Sequence, residues 1–80
     1  MDIQIRYFAE LKQLAGAEQE SFRADSAMTA GQLYQALRDK HGFRFDQQTL
    51  RVAINGRFDD WEHALQQGDE VSFLPPFSGG

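Results

Sequence analysis

One stretch, residues 29–42, has everything a long amphipathic helix requires, and the rest of the chain must be arranged around it. Thr29 and Gln32 stand in the Thr-x-x-Gln spacing of a capping box, which satisfies two of the free N–H groups at a helix start. Met28 just before the cap and Leu33 four residues after it fit a hydrophobic staple. Leu33, Ala36 and Leu37 form one apolar stripe with Tyr34 on its flank, and Gly42 after His41 reads as the C′ glycine. A helix with one apolar stripe needs an opposing layer to bury it. Strand patterns on both sides of it supply a sheet.

Before the helix, Ile3, Ile5 and Tyr7 alternate with Gln4, Arg6 and Phe8, the pattern of a half-buried strand. Residues 9–15 place Leu11, Leu14 and Ala15 at helical spacing, and Gly16 stops this short helix. Residues 18–23 read as a polar strand anchored by Phe22, an antiparallel partner of the first near a sheet edge. After the helix, Phe43 and Phe45 anchor a loop. Arg51-Val52-Ala53-Ile54 is a third strand, with Val52 and Ile54 on one face. Asn55-Gly56 is the favoured pair for a two-residue type I′ turn. Arg57-Phe58 returns briefly, Asp59-Asp60 interrupts it, and Trp61 and Leu65 anchor a polar excursion. Gly68-Asp69 turns the chain into a last strand, residues 70–74, with Val71 and Phe73 on one face and Leu74 on the other. Two opening strands, a crossing helix and closing strands describe an α+β roll, one mixed sheet wrapped around one main helix. If the last strand neighbours the first, the crossover makes that pair parallel. The architecture expected is the ubiquitin-like β-grasp, with residues 1–74 as the domain and 75–80 as an extended Gly-Gly tail.

The totals exclude more than they select. Eighty residues make one domain. Seven Phe suggest a real core, with apolar surface to spare for a partner. Without cysteine there is no disulfide, no thiolate zinc site and no cysteine nucleophile, as suits a cytoplasmic protein. No apolar run is long enough to span a membrane, and no signal-peptide pattern opens the chain. A net charge of −4 argues against nucleic acid. His41 and His63 read as surface histidines. Asp59, Asp60, Glu62, Asp69 and Glu70 show no metal-loop spacing and read as a solvated acidic region. Ser21, Ser26, Ser72 and Ser78 lie in no nucleophile elbow, and no phosphate-binding glycine loop occurs. No side chain has the setting of a catalyst, no metal site is expected, and the chain is not expected to be an enzyme by itself.

Pro75-Pro76 ends the last strand, because proline has no N–H for the ladder, and projects Phe77-Ser78-Gly79-Gly80 in extended form. Six residues at about 3.3 Å each could carry the terminal carboxylate roughly 20 Å from the last paired residue. From the glycines alone two readings stay open, a frayed end and a thin arm that enters another protein's site. On the second reading the Gly80 carboxylate is the reactive group. It needs activation, for instance as an acyl-adenylate, before a sulfur nucleophile or an amine can displace the leaving group.

The run from Gly68-Asp69-Glu70-Val71 through Phe73-Leu74-Pro75-Pro76 to Gly79-Gly80 resembles the ending of the small subunits of molybdopterin synthase, the MoaD-like proteins. Tyr7-Phe8-Ala9-Glu10-Leu11 through Gly16, and Val52-Ala53-Ile54-Asn55, are similar to that family's opening and middle. The resemblance implies a sulfur carrier with the β-grasp fold, whose Gly80 is adenylated and converted to a thiocarboxylate. It implies two partners, a MoeB-like adenylating enzyme that uses ATP and a sulfur donor, and a MoaE-like large subunit in a heterotetramer that builds the molybdopterin dithiolene. No cofactor of the chain's own is implied. Carried over, Gly79 is the slender neighbour of Gly80, and Phe73, Leu74, Pro75, Pro76, Phe77 and Ser78 fall where the family contacts partners; Phe73 fits a core position equally well. Phe77 departs from the family, which usually has a smaller aliphatic there. Other outcomes for the same tail are a carrier of the thiamine type, against which Pro75-Pro76 counts, and a ubiquitin-like protein modifier.

Overall fold

The computed structural model describes residues 1–76; the positions expected to form the tip of the tail, Phe77, Ser78, Gly79 and Gly80, lie outside the described residues. The chain runs β1 (Asp2–Tyr7), α1 (Ala9–Ala15), β2 (Gln19–Arg23), α2 (Ala30–His41), a 3-10 turn (Gln47–Thr49), β3 (Arg51–Ile54), β4 (Arg57–Asp59) and β5 (Glu70–Leu74). The five strands form one sheet in the order β2-β1-β5-β3-β4. β1 and β5 are parallel, and the β1–β2, β3–β5 and β3–β4 pairs are antiparallel. The last strand is therefore the middle of the sheet, flanked by the first strand and the third. This is the ubiquitin-like β-grasp.

Alternation decides which face each strand buries. Ile3, Ile5 and Tyr7 of β1 point inward with Val71 and Phe73 of β5, and Leu33, Tyr34 and Leu37 of α2 close over them. All eight are at most 1% exposed, so the apolar stripe of the helix and the inner face of the sheet make one core. The capping box of α2 forms as its spacing requires: the Gln32 N–H donates to Thr29 Oγ1 at 3.2 Å, and the Thr29 N–H donates to Gln32 Oε1 at 2.9 Å. Two further N–H groups of the first turn are met from outside the helix. Ala30 N donates to the His63 carbonyl at 3.0 Å and Gly31 N to that of Trp61 at 2.8 Å. The excursion after β4 is thereby tied across the helix start. A Cβ at position 31 would lie 3.3 Å from the Trp61 oxygen, so only glycine allows this approach without displacement.

Asn55 and Gly56 both take positive φ, 54° and 83°, as a type I′ turn demands. Asn55 also acts through its side chain, which donates to Asp69 at 2.9 Å and accepts from the Glu70 N–H at 2.9 Å, clasping the hairpin to the start of β5. Two local expectations, for Leu14 and His41, are corrected. Leu14 is 45% exposed, because so short a helix as α1 turns only Leu11 fully into the core. Ala53, on the outer side of β3, is nearly covered between its cross-strand partners Ser72 and Phe58, which a small side chain permits. His41 is not a surface residue; its side chain is 14% exposed and stacks on Phe43, with ring centroids 5.2 Å apart.

Candidate functional site

Residues that the sequence separates widely meet where β5 leaves the sheet. β5 pairs with β1 as far as Tyr7↔Phe73 and with β3 as far as Arg51↔Leu74. Pro75 comes immediately after, and with no N–H to donate it ends the ladder. Side chains alternate along a strand, so Leu74 faces away from the core while Phe73 faces into it. The same alternation turns Phe8, just after β1, Arg51 of β3 and Phe58 of β4 onto the outer side. Together with Ala9, Pro75 and Pro76 they line an open groove of about 560 Å³ at the root of the tail. Phe8 is 38% exposed and Phe58 59%, large apolar surfaces that the fold leaves uncovered. The guanidinium carbon of Arg51 sits 3.8 Å from the centroid of the Phe58 ring, a cation–π stack, and that of Arg6 lies 5.8 Å from the Phe8 ring. Ala9 takes a φ of 52° at this rim, a conformation that costs an L-residue on the order of 1 kcal/mol.

Of the residues expected to contact partners, Leu74, Pro75 and Pro76 are brought together here. Phe73 is a correction: it is fully buried, parallel to Trp61 at 5.9 Å and 5.2 Å from Tyr34, and belongs to the core. Phe8, Arg51 and Phe58 were missed. Outward alternation at Phe8 and an aromatic just after the Asn-Gly turn were visible signals, but their adjacency across strands was not.

A second polar constellation lies on the other side of the sheet. Glu20 of β2, its side chain 14% exposed, accepts from Tyr7 Oη at 2.5 Å, meets His41 Nε2 at 2.8 Å, and pairs with Lys40 Nζ. Partial burial pushes the Glu20 carboxyl up, but hydrogen bonds from Lys40, Tyr7 and His41, with the charge of His41, outweigh it and hold the group at about 2. Burial, the bond to Glu20 and the charge of Glu20 all push the Tyr7 hydroxyl up, so it remains a donor. The cluster fastens edge strand β2 and strand β1 to the end of α2. Aromatic rings flank His41, Tyr7 edge-on and Phe43 stacked, while Lys40 lies on the exposed side of the cluster. Among the described residues no three His, Cys, Asp or Glu side chains gather as a metal site would require. His63 Nδ1 and Asp59 Oδ2, 3.2 Å apart, form an isolated pair.

Comparison with known proteins bears on this geometry directly. The model of the ThiS family matches residues 5–80. The chain belongs to the ThiS family. It is 30% identical to the molybdopterin synthase sulfur carrier subunit of Escherichia coli (strain K12) over 80 residues, covering 98% of this chain and 99% of the relative. Among solved structures, SAMP1 from Haloferax volcanii superposes with a TM-score of 0.84 at 28% identity over the whole of both chains. A chain from the complex of subunits 1 and 2 of molybdopterin-converting factor of Helicobacter pylori does so with a TM-score of 0.70 at 27% identity, again over the whole of both. The build is that of a MoaD/ThiS-type sulfur carrier.

Proposed function

We propose that this ThiS-family chain is the sulfur-carrying small subunit of a cytoplasmic molybdopterin synthase, with residues 1–74 as the docking body and 75–80 as the arm. The Gly80 carboxylate attacks the α-phosphate of ATP on a MoeB-like enzyme and expels pyrophosphate. The resulting acyl-adenylate is opened by a sulfur nucleophile, which expels AMP and leaves a thiocarboxylate. The arm then enters a MoaE-like large subunit, within a heterotetramer, where the sulfur goes to the dithiolene of molybdopterin. In this scheme the chain is a substrate and subunit; the ATP and the sulfur donor belong to the activating enzyme.

One observation carries the reading. The central strand of the sheet runs out at Pro75 beside an uncovered apolar groove, so the root of the arm and a docking surface coincide. A partner seated over Phe8, Phe58 and Leu74 holds the body while the arm passes on into its site, and this positioning supplies the entropic part of the reaction. The Helicobacter pylori relative, solved as a complex of subunits 1 and 2, supports a large-subunit partner. The deciding experiment incubates the chain with a MoeB-like enzyme, ATP and a sulfur source and reads intact mass. The expected product gains the difference between one sulfur and one oxygen, at Gly80. No gain, or a gain elsewhere, overturns the proposal, and covalent ladders on cellular proteins under reducing, denaturing conditions would point to a modifier instead.

A further inference from the structure

Arg51 is oddly placed for a chain of net charge −4. It is exposed on the outer side at the start of β3, directly opposite Leu74 on one side and stacked on Phe58 on the other. Among the described residues it forms no salt bridge, as is true also of Arg23, Arg44 and Arg57; what sets it apart is its stack on Phe58 at the wall of the apolar groove. The stack consumes one flat face of the guanidinium and fixes its plane. Among the described residues its N–H edges have no hydrogen-bond partner, and they keep the fork geometry that binds a carboxylate with two parallel hydrogen bonds. Asp59, the acidic group of β4, is engaged by His63 and by the Asp60 N–H.

Resting on the docking reading above, we propose that Arg51 selects the partner: the groove fits a protein segment that seats an apolar side chain between Phe8 and Phe58 and presents an Asp or Glu to Arg51. An acidic protein that docked by apolar contact alone would gain nothing from a cation held open at the wall of its docking groove. Burial of the pair at the interface would strengthen the hydrogen bonds; Phe and Arg are enriched at interfaces, and Arg is among the residue types that carry most binding energy. The cation also sets a rule of exclusion, because a partner with Lys or Arg at that point would bury like charges together.

The test uses the full chain and the MoaE-like large subunit of the same organism, with affinity measured by calorimetry at low and high salt. Arg51→Ala is expected to weaken binding about tenfold and Arg51→Glu by roughly a hundredfold. Arg51→Lys, which keeps the charge but loses the fork and the planar stack, is expected to recover little. The affinity of wild type is expected to fall with salt more steeply than that of Arg51→Ala. Thermal melts of each variant separate binding loss from unfolding. If Arg51→Glu binds within about twofold of wild type while Phe58→Ala binds weakly, the groove docks by apolar contact alone and the proposal is overturned. If wild type does not bind the large subunit, the docking reading falls, and this one with it.

Discussion

Replacing Glu20 by Gln keeps the size of the side chain and removes the charge that Lys40, Tyr7 and His41 address. Hydrogen bonds to a charged group are worth about 1.5–3 kcal/mol each, so Glu20→Gln is expected to lose stability of that order at neutral pH. The sign of the pH dependence comes from the lowered carboxyl. Its folded value of about 2 lies below the roughly 4.3 of an unfolded Glu. The stabilisation is complete above the unfolded value and disappears as pH falls toward 2. Melting temperatures of wild type and variant should therefore differ most near neutrality and converge through that window; parallel curves would mean the charge contributes nothing. Phe73 and Leu74 give a complementary contrast. Phe73→Leu should cost about 1–2 kcal/mol through lost packing and stacking, with the affinity of the folded protein for a partner unchanged. Leu74→Ala should leave the melting temperature nearly unchanged and weaken docking.

At the scale of elements, the caps and turns were open to reading because their chemistry is local. A capping box involves residues three apart, and a type I′ turn is a property of two residues, so Thr29–Gln32 and Asn55-Gly56 could be placed without knowledge of the fold. The clasp from Asn55 to Asp69 and Glu70 could not, since it joins residues 14 and 15 positions apart. It gives the Asn a reason beyond its φ. Asn55→Gly would keep the turn and lose the clasp, and should lower stability by about 1–2 kcal/mol, or roughly 4–8 °C in melting temperature per kcal/mol in a domain of this size. A melting temperature unchanged by Asn55→Gly would reduce the clasp to a surface contact. The polar excursion of residues 60–65 is held in the same long-range manner, by carbonyls that meet the first N–H groups of α2.

For the whole molecule, β5 lies at the middle of the sheet and pairs on both sides as far as Phe73 and Leu74. Among the described residues core and sheet end at Leu74, so deletion of Gly79-Gly80 is expected to change stability by no more than about 0.5 kcal/mol while abolishing sulfur acceptance. Circular dichroism melts and intact mass after the activation reaction would check the two halves of that statement. A truncated chain that still gains sulfur would move the acceptor away from the tail.

The sequence by itself determined everything written in short-range chemistry: two periodicities, one capped helix, the proline stop and the glycine end. Those signals suffice for an α+β roll whose last strand stops at Pro75, because each reports on neighbours along the chain. Tertiary structure alone decided which outward side chains become one surface. Phe8, Arg51, Phe58 and Leu74 come from four strands or strand ends, and only the order β1-β5-β3-β4 sets them side by side. It also moved Phe73 and His41 inward, since burial depends on what crosses over a residue, and for these two that is supplied by Tyr34 and Trp61 and by Phe43. The helix from Thr29 to Gly42, the most legible stretch of the sequence, is the layer against which the rest was sorted into core and outer face.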